Sequence, residues 1–158
     1  DDMAEPVGYM EKSRLYYEAQ GFENAYRWAT FDDVPFTPLV KPLSESRLGI
    51  VTTSATYART NMDTRAVDNG PTAPPPERLY ADDLSWDKKA THMEDRESYF
   101  PILQLERAVA EGRLGSISPR FYCAPTSYSH RETLTEDGPE ILRLCQEDNV
   151  DIALLVPL

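Results

Sequence analysis

The chain has 158 residues, 41% of them apolar and 27% charged, enough for one domain with a core of its own. Its net charge of -11 and isoelectric point of ≈ 4.6 argue against nucleic acid or an anionic membrane as the main partner, because phosphate binding needs clustered Lys and Arg. No run of about 18 apolar residues is present, so no membrane-spanning helix is predicted. The acidic opening Asp1-Asp2-Met3-Ala4-Glu5 lacks the character of a signal peptide. Cys123 and Cys145 make no disulfide framework, and reduced thiols in a cytoplasm are the expectation.

Glu5 to Gln20 is predicted to be a helix. Pro6 suits its first turn, Gly21 suits its stop, and Tyr9, Met10, Leu15, Tyr16 and Tyr17 give it a broad apolar side. Tyr16-Tyr17 and Tyr26-Arg27-Trp28 form an aromatic cluster suited to packing on the domain or on a second subunit. Phe31 to Pro42 carries Pro35, Pro38 and Pro42 and reads as an extended connector. Leu48 to Ser54 is a buried-strand candidate. Thr52, Thr53 and Ser54 lie at its carboxyl end, where hydroxyl and N–H donors often meet a ligand, although Thr-Thr-Ser is also a common strand exit.

Ala55 to Ser85 looks irregular. Asn69-Gly70-Pro71 is a turn signal, Pro74-Pro75-Pro76 bars regular structure, and Leu79-Tyr80-Ala81 is a candidate edge strand. A loop of this length is often functional or an interaction arm. Lys88 to Tyr99 is polar and holds His92, Glu94, Asp95, Arg96 and Glu97. Pro101 opens a helix with Ile102, Leu105 and Val109 on one face, ending at Gly112. Ile117 to Ala124 is a short strand or an extended segment.

The last helix is predicted to start around Thr133, which has capping-box spacing to Glu136. Leu134, Ile141, Leu142 and Cys145 share one face. Gly138-Pro139 weakens the first turn and makes Pro139 an alternative start, and Asn149 suits the C-cap. Val150 to Leu158 is the most apolar run. Short, branched and closed by Pro157, it has the pattern of a strand buried on both faces of a parallel sheet. Together these elements predict a three-layer α/β domain with a small, mainly parallel sheet. Leu48–Ser54 and Val150–Val156 are expected to be neighbours, their carboxyl ends making a cleft.

Few residue patterns carry chemistry. His92, Glu94 and Asp95 lie close together, but no zinc spacing is present and no metal is predicted. Neither the dinucleotide nor the P-loop glycine pattern occurs, so no cofactor is implied. No Gly-x-Ser-x-Gly exists, and Ser127, Ser129 and His130 are too adjacent to form a triad alone. Cys145 reads as a small core residue. Cys123, near Arg120 and His130 in sequence, is a candidate reactive thiol, with a buried structural thiol as the competing reading.

Several stretches together resemble the glycine/sarcosine/betaine/D-proline reductase component B (selenoprotein B) family. They are Tyr26-Arg27-Trp28-Ala29, Pro38-Leu39, Lys41-Pro42-Leu43-Ser44-Glu45-Ser46-Arg47-Leu48 and Val51-Thr52-Thr53. Further on they are His92-Met93-Glu94-Asp95-Arg96 into Phe100-Pro101, Leu105-Glu106-Arg107, Glu111 to Ile117, and the closing Asp148 to Pro157. The resemblance implies an α/β fold and reductive C–N cleavage of a small amino-acid-like substrate by a selenocysteine or cysteine thiolate, with a redox partner protein. In such relatives the redox residue directly follows the strand that resembles Val150 to Leu158, and the sequence in hand stops before that position. Either the natural protein continues, or this copy has lost the loop. Cys123 and Cys145 do not match that position.

On the reductase reading, Thr52, Thr53 and Ser54 line the cleft, His92 transfers protons or serves as a polar group, and Arg120 holds a substrate carboxylate through its planar fork. The alternative is a non-catalytic binding or interaction subunit of a homo- or hetero-oligomer, held through its aromatic amino end and Pro-rich loop.

Overall fold

The computed structural model describes residues 8–22, 30–59, 65–81, 89, 92–126 and 129–158. Pro6, Tyr26-Arg27-Trp28-Ala29, Ser85, Lys88 and Ser127 lie outside them. The chain divides into two compact units, Asp1–Phe36 and Thr37–Leu158.

In the first unit the predicted helix is α1, Tyr9–Ala19. Gly21 follows it with φ +84, the left-handed geometry that glycine adopts without penalty. None of its residues is buried, and Arg14 holds it on the outside through Glu11 and Glu18, at 2.7 and 2.9 Å. Tyr16, Tyr17 and Phe22 stack edge to face, with centroids 5.7 and 5.9 Å apart.

The second unit is the predicted α/β fold. Its central strand, β1 (Arg47–Thr52), is buried along nearly its whole length. Three further segments were expected to be short or irregular and supply the rest of the sheet: β2 (Asp68–Pro71), β3 (Ser116–Ile117) and β4 (Arg120–Cys123). The closing strand is β5 (Ile152–Val156). β5 runs parallel to β1 from Leu48↔Ile152 to Thr52↔Val156.

β3 and β4 run parallel to β1 along its other edge. The carbonyls of Ser46, Leu48 and Thr52 accept from Ser116, Ser118 and Ala124 on that side, and the carbonyl of Arg47 accepts from Asp151 on the β5 side. Leu48 pairs with Ile117 and Val51 with Tyr122, so five steps oppose three and a bulge falls at Ser118-Pro119. A proline that cannot donate to a ladder fits such a bulge. β2 pairs antiparallel with β4, from Asp68↔Cys123 to Pro71↔Arg120.

The turn reading of Asn69-Gly70-Pro71 is thereby corrected to a strand. Gly70 is there because a Cβ would come 2.8 Å from the Phe121 ring. Gly115 answers a similar demand, since a Cβ would lie 2.6 Å from the Glu45 backbone. The edge-strand candidate at Leu79-Tyr80-Ala81 is a single antiparallel bridge between Ala55 and Tyr80.

Two helices flank the sheet. α2 (Ile102–Ala110) closes at Gly112, φ +70, as the pattern predicts. Its Leu105, Ala108 and Val109 join Leu48, Ile50, Phe121, Cys123, Ile152, Leu154 and Val156 in one core. α3 (His130–Glu132) leads through a π-helical turn, Thr133–Asp137, into α4 (Gly138–Glu147). Ile141, Leu144 and Cys145 pack on the other face with Val51, Tyr122 and Val150.

The crossovers from β1 to β4 and from β4 to β5 run in opposite directions. With one common hand, that places α2 and α4 on opposite faces and makes the three layers.

Two local expectations change. The cap is Ser129, whose side chain accepts from the Glu132 N–H, and Thr133 lies within the helical run. The chain does not restart at Pro139; the π turn lets the helix pass a residue that has no N–H. Asn149, at φ 53, closes α4 as predicted.

Candidate ligand site at the carboxyl ends of the strands

Adjacent strands β1 and β4 send the chain to opposite faces of the sheet. Their carboxyl ends therefore form a topological switch point, the place where open α/β sheets leave a crevice. Thr52 lies beside Cys123 there. A groove of ≈ 670 Å³ runs from this point along the α4 face, lined by Thr53, Ala124, Thr126, Asp137, Ile141 and Leu155 among others. That volume lies in the small-ligand range of roughly 300–1,000 Å³.

Of the three candidate hydroxyls, Thr53 alone lines the groove. Its Oγ1 accepts from the Leu158 N–H at 2.9 Å. Thr52 and Ser54 are buried and serve one another: their hydroxyls are 3.0 Å apart, and Thr52 Oγ1 also accepts from the Ser54 N–H at 3.2 Å. Thr52→Val is expected to cost about 1–3 kcal/mol, because it strands two buried polar groups of Ser54. Ser54→Ala costs less, since Thr52 keeps the N–H. Denaturant unfolding of both singles and the double gives the coupling, and additive effects would disprove the mutual pairing.

Cys123 is fully buried on the α2 face, away from the groove. Burial pushes its thiol up to about 12, with the Asp68 carboxylate adding to the shift and Arg59 opposing it. That is the reverse of what an attacking thiol needs. Cys145 borders the groove, and burial raises its pKa as well.

His92 is exposed in a loop, where its Nδ1 accepts from the Glu94 N–H at 3.3 Å. It is not among the groove residues.

Arg120 sits at the opposite end of β4 from Cys123. Asp148 occupies its fork, with Nε and Nη2 both at 2.9 Å, and Glu147 adds a contact at 3.2 Å. The substrate carboxylate assigned to Arg120 thus gives way to Asp148, an internal carboxylate, at the amino end of the sheet. Tyr122 Oη donates to the same Asp148 at 2.7 Å, and Ser118 lies 3.0 Å from Tyr122 Oη. Arg120 holds Asp148 below the ordinary carboxylate range, and burial raises the Tyr122 phenol.

The sequence reading missed Asp137. It is the last residue of the π turn, buried in the groove wall and paired with Arg65, which also reaches Glu132 at 3.5 Å and Glu136 at 3.8 Å. Asp137 lies in an acidic helix start of ordinary composition, and nothing in that pattern marks one carboxylate as buried.

Among the described residues, no group of three His, Cys, Asp or Glu is placed to hold a metal ion, and no helix is long and apolar enough to cross a membrane. No family model, curated protein or solved structure matches the chain.

Proposed function

We propose that this domain binds a small amino-acid-like molecule at the carboxyl ends of β1 and β4. It does so as part of a reductase of the selenoprotein B type, with the reacting selenol or thiol supplied from outside the described residues. The groove at the switch point, lined mainly by apolar side chains together with Thr53 and Asp137, carries this reading. The reductive chemistry rests on the resemblance of the sequence segments. The raised pKa of both cysteines supports an external nucleophile, because neither thiol is ionised appreciably near pH 7.

Titration with glycine, sarcosine, betaine and D-proline, followed by amide chemical shifts, tests the binding. Saturable shifts at Thr53, Ala124 and Thr126 with a Kd of roughly millimolar order are expected for so small a ligand. Shifts absent from these residues for all four compounds would overturn the site. In parallel, iodoacetamide at pH 8 is expected to leave Cys123 unmodified in the native chain and to modify it after unfolding, as read by peptide mass. Rapid native alkylation of Cys123 would return the nucleophile to this chain.

A further inference from the structure

The closing strand, predicted to be buried on both faces, instead keeps Ala153 and Leu155 exposed, and both line the groove at the switch point. Ala124, Ile141 and Val150 continue the apolar lining. Charge enters this groove with one sign only. Among the described residues no Lys, Arg or His lines it, and its charged groups are the carboxylates of Asp137 and Asp151. Asp151 is already tied to the Lys41 ammonium at 2.7 Å and to the Arg47 N–H at 2.8 Å. Asp137, 4% exposed, is less well served. Arg65 Nη2 donates to its Oδ2, and no described residue donates to its Oδ1.

Arg65 does not neutralise this wall. Its guanidinium is shared with Glu132 at 3.5 Å and Glu136 at 3.8 Å, so one positive charge faces three carboxylates. Thr126 supplies a second acceptor. It lines the groove, and its Oγ1 is buried with no hydrogen-bond partner among the described residues. Buried polar atoms are ordinarily hydrogen-bonded, so the Thr126 hydroxyl and the second Asp137 oxygen point to a donor on a ligand. Thr133, Asp137 and Gly138 bring the π turn into the same wall, and such turns recur at functional sites.

We propose that the groove selects a small protonated amine with an apolar body, its ammonium donating to Asp137 and its body resting on β5 and α4. An ammonium on Asp137 makes charge-assisted hydrogen bonds and lowers the excess negative charge around Arg65. A ligand carboxylate in the same place would lose water beside like charges, with no cation in the lining to pair with it. An amino-acid-like ligand therefore enters nitrogen first and keeps its carboxylate toward solvent. The proposal rests on the groove being the ligand site, and adds to that reading the charge of the ligand and the end that enters.

Three probes with the same branched body separate the two claims: isobutylamine, isobutanol and isobutyrate, each titrated at pH 7 and followed by amide chemical shifts at Thr53, Ala124 and Thr126. Isobutylamine, protonated at this pH as a lysine is, should bind about tenfold more tightly than isobutanol, and isobutyrate more weakly than either. Asp137→Asn is expected to remove the preference for the amine while leaving isobutanol binding and the circular dichroism unchanged. If that variant fails to fold, the order of the three probes on the parent chain decides alone. Isobutanol or isobutyrate binding as tightly as isobutylamine overturns the proposal and leaves the groove a ligand site. A folded Asp137→Asn chain that keeps the tenfold preference overturns it too. Groove amides that no probe shifts would overturn the ligand site itself, and this proposal with it.

Discussion

Asp148→Ala is expected to lower the unfolding free energy by about 2–3 kcal/mol at pH 7, read as a urea midpoint lower by roughly 1–2 M. Asp148 is 10% exposed and accepts from Arg120 and Tyr122, with the Ser118 hydroxyl 3.4 Å away, while the Arg120 side chain is 31% exposed. Removing the carboxylate leaves the buried Tyr122 hydroxyl with Ser118 alone and leaves a guanidinium part-buried without its main partner. Arg120 can still turn to water and to Glu147, which keeps the cost below the roughly 3–5 kcal/mol of a fully buried broken pair.

The pH dependence has a definite sign. Asp148 titrates below its ordinary value in the fold, chiefly because Arg120 donates to it. Its contribution is therefore complete above the unfolded pKa of about 3.9 and fades as pH falls through the lower folded value. The gap between parent and variant should be constant from about pH 5 to 8 and narrow toward pH 2. A gap that widens with acid would show that another group carries the effect. Arg120→Ala should cost less than Asp148→Ala, since Tyr122 and Ser118 still reach the carboxylate.

The α/β architecture was legible because it rests on periodicity and punctuation. Leu48 to Ser54 and Val150 to Leu158 stood out as apolar runs, and Gly21, Gly112 and Asn149 marked helix ends that the backbone keeps with positive φ. The strand pairing across the irregular segment was not legible. β2 is built on Asp68-Asn69-Gly70-Pro71, residues that favour turns, and it exists because the Phe121 ring needs the space over Gly70. Ser118-Pro119 interrupts β3 and β4 in sequence, although both lie along one edge of β1.

The site residues divide along the same line. Strand-end position pointed to Thr52, Thr53 and Ser54 as cleft residues; Thr53 lines the groove, whereas Thr52 and Ser54 turn inward and pair with each other. Arg120 is near Cys123 in sequence, but a strand of Arg120–Cys123 puts its first residue at the far end of the sheet. Residue chemistry alone could not tell an Arg that holds a ligand from one that holds Asp148. Nor could apolar character predict the number of neighbours: β5 is more apolar than β1, yet among the described residues it pairs with β1 alone.

Phe121→Ala is expected to cost about 3–5 kcal/mol, a large share of the roughly 5–15 kcal/mol that holds a domain of this size together. Phe121 is fully buried, with its ring centroid 4.6 Å from that of Phe100 at a tilt of 58°. One wall of the space it fills is Gly70, which has no side chain to collapse into the cavity. Leu103→Ala, at a residue 51% exposed, is the control and should change stability by less than about 0.5 kcal/mol. The contact also predicts a coupling of definite sign. In the parent, Gly70→Ala is destabilising, because its Cβ would meet the Phe121 ring at 2.8 Å and Thr56 at 2.9 Å. In the Phe121→Ala background the ring is gone and the added methyl fills part of the void, so Gly70→Ala should become less destabilising, with the Thr56 methyl at 2.9 Å as the remaining close contact. A double-mutant cycle by denaturant unfolding measures this coupling. Equal costs of Gly70→Ala in the two backgrounds would mean that β2 is not seated on Phe121, and the antiparallel edge of the sheet would need to be redrawn.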